Sequence, residues 1–383
     1  MNNLFVIGIF LAFFLQFLLF SKKGKTLPDK ILGVWMFVIG LHLFSYYIYN
    51  LGYWERFPHL TGITHPFPLL HGPLLFLYVV FSLRKEQHFG WRDFAHFLPA
   101  LGSYLYMMPY FFGYTIAEKR QVDSGQMEDY KTFMYLSLVG FIISGITYPV
   151  VAYHLITKHE RLVHENYSFD ESISLNWLKY CIGGLGAIFL TVGIISVMQY
   201  LLDVQFPFNV DFIFYAEIIL FILFVGYFGI RHQGIFAENK TTQEATSGAD
   251  DANTKKPTGY IRSGLKTDEA QELHQKLLQL MNEKKPYLEP KLTLNMLATQ
   301  LDVSSNHLSQ TINQHQNQNF YDFINQYRVE EFKQRAKDPK NQHFNILALA
   351  LDSGFNSKSA FNLIFKKHTG ITPSHFMSEN SRP

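Results

Sequence analysis

Up to Phe236, apolar side chains run almost unbroken through stretches of about 20 residues; from Ala237 onward the chain turns to polar tracts and short amphipathic repeats. A helix needs about 20 mostly apolar residues to cross a bilayer, because the hydrocarbon core is about 30 Å thick and each residue rises about 1.5 Å. Seven stretches meet that measure: residues 3–20, 31–50, 65–83, 94–113, 133–156, 177–202 and 212–230. The third carries Pro66, Pro68 and Pro73 near its start, where neighbouring helices can re-satisfy the freed carbonyls. The pattern predicts an all-α protein in three parts. Residues 1–236 form a seven-helix membrane bundle, 237–259 a linker and 260–383 a soluble helical domain.

The opening "MNNLFVIGIFLAFFLQFLLF" has no basic leader, and its cluster Lys22, Lys23 and Lys25 follows the apolar run. It reads as a span with its amino end outside, not as a cleaved secretory signal. Lysine and arginine in short loops extend that orientation along the chain. The loops assigned inside, with the end of the last span, hold Lys22, Lys23, Lys25, Lys30, Arg84, Lys85, Arg92, Lys158, Arg161, Lys179 and Arg231; those outside hold Arg56, Lys119, Arg120 and Lys131. Eleven against four places the tail in the cytoplasm after seven crossings.

Charge and composition add little on partners. A formal net charge of +2 argues for no nucleic-acid or acidic partner by itself. The single cysteine, Cys181, rules out an intrachain disulfide and sits in an apolar run as a packing residue. Ionisable groups inside lipid are costly, so Glu217, His42 and His71, with His154, are the first places to seek a sensing or ion-coupled site. The plain alternative for Glu217 is a pairing with a neighbouring helix. "HERLVH" sets its histidines five apart, about 140° round a helix, so they do not share one metal as a four-residue spacing would. "CIGGLGAIF" follows no strand and is not read as a dinucleotide loop. No catalytic constellation and no cofactor or metal motif stands out.

The stretch "AENKTTQEATSGADDANTKKPTG", residues 237–259, has almost no large apolar side chain to bury and is expected to be a tether. At 23 residues its r.m.s. reach is about 25–30 Å. A capped amphipathic helix begins at Thr267, with Leu273, Leu277, Leu280 and Met281 on one side and a stop at Pro286. Two units of one design follow. "LTLNMLATQL", a "DVS" turn and "SNHLSQTINQHQ" make the first; "FNILALALDSGFNSKSAFNLIFKKH", broken at Ser353–Gly354, makes the second. "FYDFINQYRVEEFKQRAK" is expected to be an amphipathic helix between them. Each unit has the form of a helix-turn-helix, whose second helix fits the DNA major groove. With Leu308 and Ile312 buried, Asn306, Gln310 and Asn313 face away; with Phe361 and Phe365 buried, Ser359, Leu363 and Lys366 point out, flanked by Lys358 and Asn362. Amides can bond an adenine edge, leucine can meet a thymine methyl, and lysine favours phosphate.

The tail resembles the AraC/XylS family of transcription regulators over roughly residues 260–380. Ala350, Gly354, Phe355, Phe361, Phe365, Lys366, Gly370, Thr372 and Pro373 carry the likeness, with Leu297, Ala298, Leu308, Ile312, Phe320, Ile324 and Arg328 in the first unit. The resemblance implies two helix-turn-helix units joined by a long helix and sequence-specific binding of double-stranded DNA. The family's base-reading positions fall on Asn306, Ser309 and Gln310, and on Ser359, Ala360 and Leu363. Leu363 stands where the family commonly has arginine. "HGPLLFLYV" and "HFLPA" are similar to the multi-span front halves of some Bacteroidetes-type regulators.

The expected function is a one-component transcription regulator in the inner membrane, with its tail in the cytoplasm. Its partners are double-stranded DNA, the lipid bilayer and an unidentified signal; pairing into a homodimer stays open. The alternative is a transporter or membrane enzyme whose tail regulates or binds protein. In that case Glu217 and the span histidines carry the chemistry.

Overall fold

The computed structural model describes residues 2–60, 62–84, 88–123, 129–169, 176–231, 267–341 and 343–380. The expected tether at 237–259 lies outside them. The chain divides into two compact units, one gathering Met1–Thr157 with Leu175–Asn253, the other Lys158–Ser174 with Thr254–Pro383. The second unit is thus larger than the tail that the composition marks off.

The first unit is helical in its described residues: α1 (Asn2–Ser21), α2 (Leu27–Asn50), α3 (Tyr53–Arg56), α4 (Pro68–Leu83), α5 (Leu98–Tyr106), α6 (Met108–Phe112), α7 (Ile116–Asp123), α8 (Asp129–Asn166), α9 (Asn176–Tyr200) and α10 (Asp211–Arg231). Among the described residues, Asn3–Ser21, Leu27–Asn50, Thr132–Asn166, Trp177–Gln199 and Asp211–Phe228 are long and apolar enough to cross a membrane, and Pro68–Leu83 is a shorter apolar helix. The fourth expected span, 94–113, departs from the reading. It is a 3-10 stretch Trp91–Phe97 followed by α5 and α6. Pro99 and Pro109 have no N–H to give the fourth carbonyl back, so the ladder restarts at each.

Apolar side chains occupy the inside and the outside of this unit. Trp35, Leu43, Leu75 and Ile222 are buried, while Phe10, Phe17, Leu136, Ile146 and Leu220 are exposed. A helix apolar all round suits a surrounding of lipid, which offers little drive for helices to associate beyond close fit. α2 supplies that fit: a Cβ on Gly33 would collide with the Phe20 ring of α1, and one on Gly40 would crowd Phe13. The turn between these helices is held by charge. Lys22 meets Asp29 at 3.0 Å with both side chains buried, and Asp29 also accepts from the Thr26 N–H at 2.8 Å.

The second unit contains α11 (Thr267–Glu283), α12 (Leu294–Gln300), α13 (Ser305–Gln316), α14 (Phe320–Lys337), α15 (Ile346–Asp352), α16 (Lys358–Thr369) and α17 (Pro373–Asn380). Six of the seven begin on a side chain that accepts from the backbone N–H three residues on: Thr293, Ser304, Asn319, Asn345, Ser357 and Thr372. Two cores form. Leu277, Met281, Leu297, Leu308, Ile312 and Phe323 belong to one; Phe332, Leu349, Phe355, Phe361, Ile364 and Phe365 belong to the other. α14 serves both, sending Phe320, Phe323 and Ile324 to the first and Tyr321, Val329 and Phe332 to the second. It is therefore apolar on two sides, not amphipathic as its sequence suggests.

α14 also carries Arg328, 1% exposed, at the joint between the cores. Its Nε donates to the Tyr287 carbonyl at 2.8 Å; Nη2 donates to the Glu289 carbonyl at 2.7 Å and to the Ser168 Oγ at 3.0 Å. Nη1 donates to the Ser168 carbonyl at 2.9 Å and to Asn325 Oδ1 at 3.2 Å. Ser168 is 1% exposed, and its N–H and Oγ both donate to the Leu292 carbonyl, at 3.2 and 2.8 Å. Tyr167 bridges Thr293, and His164 stacks on Tyr321 with ring centroids 4.4 Å apart. Residues 164–168 are thus built into the second unit. Beside Arg328, Glu331 accepts from Lys285 at 2.9 Å and Arg335 at 2.8 Å. Burial pushes its carboxyl up, but the two cations outweigh it and hold it below the ordinary glutamate value.

The two helix-turn-helix turns share one geometry. Val303 N–H bonds the Ala298 carbonyl at 3.1 Å and Phe355 N–H the Ala350 carbonyl at 3.2 Å, with Asp302 and Gly354 left-handed between at φ 55° and 92°. Only the second turn is crowded: a Cβ on Gly354 would overlap the Tyr287 carbonyl and press on Arg328. Gly354→Ala is therefore expected to destabilise the second unit by about 2 kcal/mol or more, and Asp302→Gly to be near neutral. Hydrogen exchange of the α14 and α15 amides in the full-length protein measures both. Arg328→Met strands buried carbonyls and is expected to cost about 3–5 kcal/mol. Protection of the Ser168 amide should be lost with it.

Candidate nucleic-acid interface

In α13 the buried stripe is Leu308, Thr311 and Ile312. Asn306 and Asn313 are exposed on the other side, with Ser309 and Gln310 half-buried at its margins. Asn313 Nδ2 donates to the Ser309 carbonyl at 2.9 Å, which orders the amide. The helix ends at Asn317, left-handed at φ 52°, a conformation asparagine tolerates. Its outer side carries amides and hydroxyls without Lys or Arg. Such groups can bond base edges as well as backbone oxygens.

α16 has a different surface. Ala360, Phe361, Ile364 and Phe365 are buried, and Lys358, Ser359, Asn362, Leu363 and Lys366 are exposed. Leu363 is 69% exposed, the most of any large apolar side chain in the described tail. Ala360 corrects the expectation: at 8% exposed it packs against the second core, and its N–H serves the cap by donating to Ser357 Oγ at 3.1 Å. It lies in the first turn, one residue before Phe361, where the core-facing stripe has already begun.

The charge of α16 lies near its ends. Lys367 is tied to Asp322 of α14 at 2.6 Å. His368 is drawn below its ordinary value, first by burial, with Lys367 and Lys333 adding against Asp322 and Glu330. The positive charge of α16 at neutral pH comes from Lys358, Lys366 and Lys367. Lys366 is exposed in the last turn.

The residues singled out in the apolar half separate. His42 and His71 stack with ring centroids 5.8 Å apart and line one cavity with Tyr215. Glu217 lies on α10 outside the lining of that cavity. His154 is exposed. His164 of "HERLVH" packs on Tyr321, and no group of three metal-ligating side chains occurs among the described residues.

Sequence reasoning missed Ser168 as a partner of the tail, because nothing in "NYSF" signals a buried serine. Arg328 was visible only as a match to a family pattern. Its position between Tyr327 and Val329, in a helix apolar on two sides, is the sign that it points inward.

Residues 297–379 match the family described as a helix-turn-helix domain, which spans α12 partway through to α17. A solved structure of a protein of unknown function from Listeria innocua is similar at 27% identity over 27% of this chain and 94% of that one, with a TM-score of 0.24. The comparison with curated proteins returned no match. The match covers both candidate recognition helices and supports DNA-binding transcription regulation of the AraC type by the tail.

Proposed function

We propose that the chain is a membrane-embedded one-component transcription regulator whose tail binds double-stranded DNA by sequence and answers to a signal received by the apolar half. One observation carries the reading. Within the matched segment, two capped helices hold their apolar stripes in separate cores and turn outward side chains suited to base edges and phosphates. The apolar helices and their apolar outer sides support a place in the cytoplasmic membrane, and the excess of lysine and arginine in alternate loops supports a cytoplasmic tail.

The route from signal to DNA need not run through the 237–259 tether. His164 to Ser168 lie between two long apolar helices in the sequence, yet they group with the tail and complete the bonds of Arg328. A shift of that segment would change the joint that fixes the two cores, and with it the spacing of the recognition helices. Such a shift has to be driven by a ligand that binds one arrangement more tightly than the other.

Full-length protein in lipid nanodiscs, offered a random pool of duplex DNA, is expected to enrich one sequence. Gln310→Ala should relax the preference at one base pair, by about 1–3 kcal/mol. Lys366→Ala should weaken all sequences alike and lower the salt slope by about 1. An unenriched pool, or equal losses on every sequence for Gln310→Ala, contradicts the reading.

A further inference from the structure

An imidazole inside an apolar bundle has to find partners, and the two in α2 and α4 find too few. His71 is 8% exposed, and its Nδ1 accepts from the Trp35 Nε1–H at 3.2 Å. Indole can only donate, so Nδ1 is the bare nitrogen of His71 and the proton sits on Nε2. That Nε2 is buried with no hydrogen-bond partner among the described residues, and so is Nδ1 of His42, whose ring lies at 20° to that of His71.

Both rings line a partly open cavity of about 160 Å³ formed by residues of α2, α4, α8, α9 and α10, with Phe141, Phe189, Val192 and Tyr215 among its walls. No carboxylate, ammonium or guanidinium belongs to the lining. An apolar cavity of about 150 Å³ is known to hold one benzene ring. Charge is excluded here, because nothing in the lining would neutralise it away from water.

The geometry points to a binding site for a small uncharged molecule, one ring in size, that carries a single oxygen acceptor for the His71 Nε2–H. A carbonyl meets that need. A hydroxyl meets it and also turns toward His42. The apolar remainder fills the space between the aromatic walls. This site stands on the first unit alone; that its ligand is the signal rests on the function proposed above.

The test uses the purified full chain in nanodiscs, with equilibrium dialysis of acetophenone and of cumene, which has the same shape without the oxygen. Empty nanodiscs give the lipid partition to subtract. Acetophenone is expected to bind saturably, one per chain, and about five- to tenfold more tightly than cumene, the worth of one hydrogen bond. His71→Phe should bring acetophenone down to the cumene level while cumene still binds, which shows an intact bundle. Val192→Phe should fill the cavity and abolish both. Equal binding of the two probes, partition without saturation, or acetophenone binding indifferent to Val192→Phe overturns the site. Binding is read without DNA, so failure here leaves the regulator reading standing. A chain that binds acetophenone and selects no DNA sequence overturns the regulator reading alone.

Discussion

A guanidinium at the centre of the tail, closed off from water, sets the terms for the fold around it. Burial draws Arg328 down to about 10, so it stays charged at neutral pH and needs an acceptor for each N–H. No one element supplies them. Tyr287 and Glu289 give carbonyls from the strip before α12, Asn325 gives its amide oxygen from α14, and Ser168 gives both its carbonyl and its hydroxyl. The turn of the second unit closes against the same point, where the Tyr287 carbonyl leaves no room for a side chain on Gly354. The charge thus acts as a register mark: each core packs by itself, and the arginine requires that they pack in one relation.

The apolar half is held together by different means. Where the surroundings are as apolar as the core, burial distinguishes little, and close approach and satisfied polar groups decide the packing. Gly33 and Gly40 let α1 lie against α2, and the Lys22–Asp29 pair closes the turn between them. Lys22 belongs to the basic cluster by which the sequence reads as inward-facing, and in the structure its charge is matched inside the protein. The Trp35–His71 bond links α2 to α4 in the same manner.

Much of the tail was legible from residue pattern. The "DVS" turn, the stop at Pro286 and the break at Ser353–Gly354 are local chemistry, and the helices follow them. The outward residues Asn306, Asn313, Ser359, Leu363 and Lys366 follow from the helical period once the buried stripe is known. Ala360 escaped because a small residue beside a stripe gives no sign of its side. α14 escaped because two apolar faces on one helix blur each other in a linear pattern. Pro99 and Pro109 were visible, but their effect on 94–113 depends on whether neighbours supply the missing bonds. The seat of Ser168 and the meeting of His42 with His71 join residues distant in sequence, and no local signal announces either.

The proposed function needs one chain that both resides in the membrane and reads DNA. Genome-wide footprinting of the tagged full-length protein recovered with the membrane fraction tests it most directly. Discrete sites that share one sequence are expected, and they should vanish when Gln310 and Lys366 are replaced together. Footprints that appear only with a soluble fragment, or no enriched site in the membrane-bound protein under any growth condition, would contradict it.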